Sequence, residues 1–215
     1  MNFAIIIQAR LGSTRLPGKI LKEFRGYSIL SVLIGRLKKS KKVKNIIIAT
    51  TKNKIDTKLI NFCKNYSLIY FRGSENDVLK RYYDTAKKFN VKNIIRITSD
   101  CPLIDIKILD NMVKVYLSKK LDYYSNTYPE PSTYPDGMDI EIFSFKSLNL
   151  ANKLAFKKSD REHVTPFFRR YKKFNISRKD FYKDVSKYRL TVDYPSDFRL
   201  FKNFVNNFGN KIYSV

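Results

Sequence analysis

Short apolar segments alternate along the chain with segments that have the spacing of one helix face. Apolar and β-branched runs occupy residues 3–7, 45–51, 67–71 and 93–98 and resemble strands buried on both faces. Between them, apolar residues recur every three or four positions, as in amphipathic helices. This order predicts an α/β fold with a mostly parallel central sheet, right-handed crossovers and flanking helices.

The second half of the chain extends the pattern with further strands and helices. Strands are predicted at residues 122–126, 138–145 and 188–193, the second with alternating apolar and polar positions. Asp105 is expected to cap one helix. Pro195 suits the first turn of the last helix.

Two pairs of residues mark further helix starts. Ser74 with Asp77, and Ser159 with Glu162, each place a hydroxyl group three positions before an acid. This is the spacing of a capping box, in which each side chain bonds the other residue's backbone N–H. Helices are therefore expected to begin at Ser74 and Ser159.

Length and composition are those of one globular domain. The chain has 215 residues, of which 43% are apolar, so residues 1–215 are expected to form a single domain with a substantial core. Cys63 and Cys101 do not suggest a disulfide scaffold, and a single histidine, His163, disfavours a histidine-based metal site. No apolar run is long enough to span a membrane, and no signal-peptide pattern is present. A cytoplasmic protein is expected.

The positive charge raises a different possibility. A net charge of +24, from 43 Lys and Arg against 19 Asp and Glu, attracts nucleic acids and other polyanions. These basic residues are spread over the whole chain rather than gathered in a tail. A basic nucleic-acid-binding protein therefore stays open as an alternative, but most of the charge is interpreted as solvated surface and a nucleic-acid partner is disfavoured.

A basic, glycine-containing loop follows the first predicted strand. Its sequence, Q-A-R-L-G-S-T-R-L-P-G-K, carries Arg10, Arg15 and Lys19. Cations and glycines just past a buried strand are suited to phosphate, because ligands of open α/β sheets bind at that edge. Five residues separate Gly12 from Gly18, so the loop is not a Walker A sequence, and G-x-G-x-x-G is also absent. An ordinary basic surface loop is the alternative.

Two aspartates follow predicted strands at distant places in the chain. Asp100 follows residues 93–98, and Asp193 ends residues 188–193. A wound sheet brings strand ends to one crevice, and Mg²⁺ prefers a few carboxylates together with substrate phosphates. An aspartate close before a proline is also typical of a turn, and this alternative stays open from the residues alone.

Several segments together resemble one enzyme family. The basic loop, S-D-C-P, Y-P-D-G-M-D-I-E, R-E-H-V-T-P and T-V-D-Y-P-S-D-F resemble cytidylyltransferases of the acylneuraminate and CMP-Kdo synthetase superfamily, in its spore-coat-polysaccharide branch. The resemblance extends over most of the chain. It implies a Rossmann-like fold of the nucleotide-diphospho-sugar transferase type with a small β arm. Residues 127–145 would form this insertion, at the acceptor side and a dimer contact.

The resemblance also implies roles for individual residues. Catalytic roles fall on Arg10, Arg15, Lys19, Asp100 and Asp193, with the two aspartates as Mg²⁺ ligands. Nucleotide contacts are implied for Ala9, Arg10, Gly12, Ser13, Arg15, Lys19, Thr50, Arg72, Gly73, Ser74, Asp77, Ser99 and Asp100. Ser99 stands where the family usually has glycine. Acceptor contacts are implied for Asn126, Pro135, Asp136, Gly137, Asp139, Arg161, Glu162 and His163.

The activity implied is a CTP-dependent transfer of CMP to an acidic sugar, with release of pyrophosphate, for surface polysaccharide synthesis. The acceptor would be a nonulosonic or Kdo-like acid, and the enzyme a Mg²⁺-dependent homodimer. A phosphonate or phosphate acceptor is a minor variant. A glycosyltransferase that uses a nucleotide sugar is the nearest rival, because it would also bind a nucleotide and a metal.

Overall fold

A seven-stranded sheet forms the centre of the computed structural model, which describes residues 2–209. Its strands are β1 (Phe3–Gln8), β4 (Ile46–Thr51), β5 (Ile69–Gly73), β6 (Asn93–Thr98), β7 (Tyr123–Ser125), β8 (Glu141–Ser144) and β9 (Ile176–Arg178). A separate two-stranded hairpin consists of β2 (Glu23–Phe24) and β3 (Tyr27–Ser28). The order across the large sheet is β5-β4-β1-β6-β8-β7-β9.

The sheet is mostly parallel, as predicted. Strands β5, β4, β1 and β6 pair in parallel, β8 runs against both β6 and β7, and β9 is parallel to β7. The chain leaves β1 towards β4 on one side and later returns to β6 on the other. This reversal opens a crevice at the carboxyl ends of β1 and β6, which is where α/β sheets bind ligands.

Helices cover both faces of the sheet. They are α1 (Ile29–Leu37), α2 (Thr57–Asn65), α3 (Val78–Lys88), α4 (Ile106–Lys119), α5 (Phe145–Leu154), α6 (Lys158–His163), α7 (Pro166–Arg170) and α8 (Pro195–Phe208). Helices α1, α2 and α4 pack on one face, and α3, α5 and α7 on the other. Helix α8 packs its apolar side against α1 in a third cluster.

The all-apolar sequence of β1 follows from this layered packing. Ile5 and Ile7 belong to the core on the α1 side, whereas Ala4 and Ile6 belong to the core on the α3 side. Because successive side chains of a strand point to opposite faces, a strand covered on both sides needs apolar residues at every position. The fold class predicted from the sequence is confirmed.

The predicted strand at residues 188–193 is wrong. This segment is an extended loop with a single bridge, between Asp136 and Arg189. Its backbone bonds two different loops: the Leu190 N–H donates to the Asp136 carbonyl (2.6 Å) and the Val192 N–H to the Asp100 carbonyl (2.9 Å). The apolar alternation arises because Val192 is buried beside α8, not because the segment enters the sheet.

The two predicted capping boxes are also corrected. Helix α3 begins at Val78, and its N-cap is Asp77, whose carboxylate accepts from the Lys80 N–H (2.8 Å). The Ser74 hydroxyl instead accepts from the Asp77 N–H, in the turn before the helix. Helix α6 begins after Lys157 with no side-chain cap, so Ser159 lies inside the helix.

Two other segments differ from the prediction in their boundaries. Strand β5 lies two residues later than predicted, so Arg72 and Gly73 belong to its carboxyl end rather than to a loop. Residues 126–140 form an irregular loop, and residues 127–145 enter the central sheet only through β8 before α5 begins. A role of this segment in dimerisation stays a prediction.

Over residues 2–209, no helix combines the length and the apolar composition needed to cross a membrane.

Gly137 is the position where the fold most strictly requires glycine. Its φ is +100°, and a Cβ there would lie 2.4 Å from the Thr191 nitrogen. Gly137→Ala is therefore expected to lower the free energy of unfolding by about 3 kcal/mol, since backbone strain and a clash with backbone combine. Urea unfolding measures this loss.

Gly26 provides the matched control, because its φ is +78° but nothing lies within 4 Å of a Cβ built there. Gly26→Ala carries only the strain and is expected to cost about 1 kcal/mol. Equal losses in the two variants would contradict the close approach at Gly137.

Candidate active site

Leu11 organises the basic loop after β1. Its carbonyl accepts the N–H groups of Ser13 (2.9 Å) and Gly18 (3.2 Å), which closes the loop on itself. Its own N–H donates to Oδ1 of Asp56 (2.7 Å), a carboxylate that is 1% exposed. The loop leads directly into a short 3-10 helix over Lys19–Leu21. Arg15 and Lys19 are thus presented by a loop whose backbone is fixed at both ends.

Lys19 connects the two aspartates predicted to bind metal. Its Nζ lies 2.9 Å from Oδ2 of Asp100 and 2.6 Å from Oδ1 of Asp193. Lys19 is 7% exposed, so this ammonium is held between the carboxylates with little access to water. The structure therefore brings Lys19, Asp100 and Asp193 together at the carboxyl edge of β1 and β6, although a loop and not the predicted strand carries Asp193.

Two arginines hold the other oxygen of Asp193. Oδ2 lies 3.1 Å from Nη2 of Arg15 and 2.9 Å from Nη2 of Arg189. Arg15 also lies over the ring of Tyr194, with 5.1 Å between its Cζ and the ring centroid. Burial works to raise the pKa of Asp193, but Lys19, Arg15 and Arg189 outweigh it and hold that pKa below its usual value. Asp193 is therefore ionised at neutral pH.

The Y-P-D-G turn holds the segment that carries Asp193. Asp136 forms an ion pair with Arg189 and accepts a hydrogen bond from the Thr191 hydroxyl (2.7 Å). The backbone of Gly137 lies against Thr191. Asp136 and Gly137, predicted to line an acceptor pocket, thus tether the loop that positions Asp193. Pro135, which precedes them, is buried.

Asp100 and Asp193 offer carboxylate oxygens of the kind that Mg²⁺ prefers. Among the described residues, Oδ1 of Asp100 has only a weak contact, with Sγ of Cys101 at 3.7 Å, and the Asp100 side chain is 25% exposed. Over residues 2–209, no group of three or more histidine, cysteine, aspartate or glutamate side chains is arranged to hold a metal. Mg²⁺ commonly uses one or two carboxylates and completes its coordination with phosphate and water. The donor set therefore suits a metal that arrives with a nucleotide.

The predicted nucleotide residues on the β4 side form a second group near the same edge. Thr50 is fully buried at the end of β4, and its hydroxyl has no hydrogen-bond partner among residues 2–209. Arg72 donates to the carbonyls of Thr51 (2.9 Å) and Asn53 (2.8 Å). A Cβ on Gly73 would lie 2.8 Å from Cγ of Arg81. Of these three predicted residues, Thr50 is the one whose side chain can still form a hydrogen bond with a ligand.

Other predicted nucleotide residues surround the basic loop. Arg10 is exposed and lies 3.5 Å from Glu75, which leaves it accessible to a ligand. Ala9 is buried, and its N–H donates to the Ala49 carbonyl (3.1 Å). Gly12 has open space around its Cα, and the Ser99 N–H donates to the carbonyl of Gln8 (3.3 Å).

Asp77 and Arg161 bond to each other. Nη2 of Arg161 lies 2.5 Å from Oδ2 of Asp77, and the same guanidinium donates to Asn152. This contact joins α3, α5 and α6, so both residues have structural roles. Glu162 and His163 are exposed on α6. Of the four predicted residues on these helices, Glu162 and His163 keep side chains accessible to an acceptor.

The side-chain amide of Asn126 bonds the backbone through both its nitrogen and its oxygen. Its Nδ2 donates to the Met138 carbonyl (2.8 Å), and its Oδ1 accepts from the Ile140 N–H (2.8 Å). Asn126 is buried, so these bonds fix the loop on both sides of Asp139. Its role is to hold Asp139 in place.

A buried charged network lies behind the crevice and was not predicted. Glu141 is 2% exposed, pairs with Arg96, and lies 3.2 Å from Arg169 and 2.5 Å from the Tyr123 hydroxyl. Burial raises the pKa of Glu141, but Arg96 and Arg169 outweigh it and lower that pKa to about 2. Arg96 also donates to Oε1 of Gln8 (3.1 Å). The network ties β1, β6, β7, β8 and α7 together.

Asp56 and Arg189 are further site residues that the sequence reasoning missed. No local sequence pattern marks Asp56, because the Leu11 N–H that it accepts from lies forty-five positions earlier in the chain. Arg189 could have been found from the sequence, because it stands only four residues before Asp193 and an arginine at that distance can pair with the carboxylate.

Comparison with known proteins identifies the family. Residues 4–211 match the family model described as Cytidylyltransferase. The chain belongs to the cytidylyltransferase family. It is 32% identical to the spore coat polysaccharide biosynthesis protein SpsF of Bacillus subtilis over 220 residues, covering 98% of this chain and 89% of SpsF.

Solved structures agree with this assignment. A cytidylyltransferase from Leptospira borgpetersenii superposes with a TM-score of 0.91 at 40% identity, covering 97% of this chain and 88% of that one. A CMP:2-keto-3-deoxy-manno-octonic acid synthetase, solved as a complex with CTP, has the same fold with a TM-score of 0.74 at 16% identity, covering 96% and 99% of the two chains. The recognition of a cytidylyltransferase from its sequence segments is confirmed.

The bond between Asp56 and Leu11 predicts a loss of stability. Asp56→Ala leaves the Leu11 N–H without an acceptor in a buried place, which is expected to cost about 1–3 kcal/mol of unfolding free energy. Urea unfolding measures it. Asp56→Asn is the matched variant, because its Oδ1 still accepts from Leu11 and most of the stability should return. An alanine variant as stable as the asparagine variant would contradict this role.

Proposed function

We propose that this cytidylyltransferase transfers CMP from CTP to the hydroxyl group of an acidic sugar and releases pyrophosphate. The observation that carries the proposal is the cluster of Lys19, Asp100 and Asp193 beside Arg15. It combines cations suited to a triphosphate with carboxylates suited to a metal, at the edge of the sheet where ligands bind.

In the proposed reaction, an acceptor oxygen attacks the α-phosphorus of CTP. A new P–O bond forms, the bond to the β-phosphate oxygen breaks, and pyrophosphate leaves. Such transfers depend mainly on alignment and on neutralising charge. Arg10, Arg15 and Lys19 would contact the phosphates and the departing pyrophosphate. Asp100 and Asp193 would hold Mg²⁺, which supplies further positive charge at the phosphates when bound.

The ion pairs of the site suggest how it accepts CTP. Lys19 pairs with Asp100 and Asp193, and Arg15 pairs with Asp193. A triphosphate offers these two cations new partners, which releases carboxylate oxygens for a metal. Without a cation between them, carboxylates and phosphates repel. Nucleotide and metal would therefore bind together more tightly than either alone.

An acidic sugar is the proposed acceptor. The similarity to SpsF, and the fold shared with a synthetase of CMP:2-keto-3-deoxy-manno-octonic acid, support a nonulosonic or Kdo-like acid. Surface polysaccharide synthesis is the corresponding process. The accessible side chains of Glu162 and His163 are acceptor contacts in this proposal. A phosphonate or phosphate acceptor is a minor variant of this proposal. The enzyme is proposed to act as a homodimer in the cytoplasm.

Pyrophosphate release distinguishes this proposal from its rivals. With CTP, Mg²⁺ and a panel of sugar acids, release is expected to depend on one acceptor and to be lost with ATP, GTP or UTP. Removal of Mg²⁺ by a chelator should abolish it, and added Mg²⁺ should restore it. A glycosyltransferase would release no pyrophosphate from CTP. A nucleic-acid-binding protein would instead bind polynucleotides with a steep salt dependence.

The two candidate metal ligands predict a second result. Asp100→Asn and Asp193→Asn are each expected to lower the rate of pyrophosphate release about 10²–10³-fold, because charge stabilisation at the phosphates is lost. Both should retain the wild-type circular dichroism spectrum. Asp84→Asn is the matched control, since within the described part of the chain Asp84 pairs only with Lys80, on the surface of α3. Near wild-type rates in either site variant would remove the assignment of the metal ligands.

A further inference from the structure

Asp139 is a carboxylate without a partner. It is partly buried, yet within residues 2–209 it forms neither a hydrogen bond nor an ion pair. Its neighbours Met138 and Ile140 are both fastened by Asn126. A half-buried carboxylate that is held in place but left unbonded is available to a ligand, and groups of this kind concentrate at functional sites.

The antiparallel pairing of β6 and β8 places Asp139 at the crevice. Arg96 lies opposite Glu141, the first residue of β8. Because the two strands run in opposite directions, Asp139, two residues before β8, lies on the side of this pair towards Thr98 and the carboxyl end of β6. Ile140 and Ile142 both enter the core on the α1 side, so Asp139 lies on the opposite side of the chain, with Glu141. Asp100 follows Thr98 by two residues, which puts Asp139 at the same edge of the sheet as the candidate metal ligand.

The charges around Asp139 suit a group that exchanges protons at neutral pH. Burial raises the pKa of Asp139 most, Glu141 and Asp136 raise it further, Arg96 lowers it, and Asp100 raises it again, with a result of about 7. Glu141 keeps its negative charge because Arg96 and Arg169 hold it ionised. A base is most effective when its pKa lies near the working pH.

We propose that Asp139 is the general base that takes the proton from the acceptor hydroxyl as its oxygen attacks the α-phosphorus of CTP. This rests on the proposed cytidylyl transfer. The oxygen–phosphorus bond forms while the bond to the leaving oxygen breaks. Pyrophosphate departs with that bond's electron pair, and the acceptor proton moves to a carboxylate oxygen of Asp139, which then loses it to water.

The pH profile of Asp139→Asn tests this role. In the wild type, kcat/KM should fall below a pH of about 7 with unit slope, because protonated Asp139 cannot accept a proton. The variant should be about 10²–10⁴-fold slower and should lack this acidic limb. Its affinity for CTP, measured by calorimetry, should be unchanged. Asp84→Asn should keep the wild-type profile.

Two further readouts separate a base from a structural residue. Formate or acetate should restore part of the rate of Asp139→Ala, because a small carboxylate can enter the vacated space and accept the proton. Asp139→Asn should also raise the urea midpoint at pH 8, since an unpartnered charge is removed. The native pKa lies above the unfolded value, so this gain should shrink as the pH falls towards 4.

The outcomes distinguish this inference from the proposed function. If the wild type releases pyrophosphate from CTP and Asp139→Asn retains both rate and acidic limb, the general-base role is overturned while the transfer reaction stands. Loss of stability at pH 8, with no rescue by carboxylates, would also overturn it in favour of a structural role. If the wild type releases no pyrophosphate with any acceptor in the panel, both proposals are overturned.

Discussion

The contact of one ammonium group with two carboxylates is the interaction on which the site depends. Lys19 follows the first strand, Asp100 follows the fourth long parallel strand, and Asp193 comes from a loop after the sheet is complete. Bringing two carboxylates this close requires a cation between them, because like charges repel strongly in a partly buried place. Lys19 supplies that charge. The same contact connects the two ends of the chain.

Much of the fold was predictable because its signals are local. The strands β1, β4 and β6 are covered on both faces, so their apolar runs stand out in the sequence. Residues 188–193 have a similar alternating pattern, but their hydrogen bonds go to separate loops at Asp100 and Asp136. An alternating apolar pattern indicates which side chains are buried, but it does not indicate which other segment accepts the backbone hydrogen bonds.

The site was predictable only in part, for a related reason. Arg15, Lys19 and Asp100 follow strands that the structure contains, and parallel strands bring their carboxyl ends to one edge. Asp193 was expected at the end of another strand, but an extended loop carries it to the same place. Asp56 and Glu141 act through contacts between residues far apart in the chain, so no local pattern marks them. Asp77 and Arg161 match the family's sequence segments, yet here they bond each other. A match to a motif therefore located the region more reliably than the role of each residue.

The late position of Asp193 has a consequence for how the enzyme is made. Among residues 2–209, the last strand of the sheet ends at Arg178, whereas Asp193 and the helix that follows it come later. A chain emerging from the ribosome can thus assemble its entire sheet, with Lys19 and Asp100 in place, while one carboxylate of the site is still missing. Competence for the proposed reaction would then arrive only once Asp193 has been translated, after the scaffold that supports it has formed.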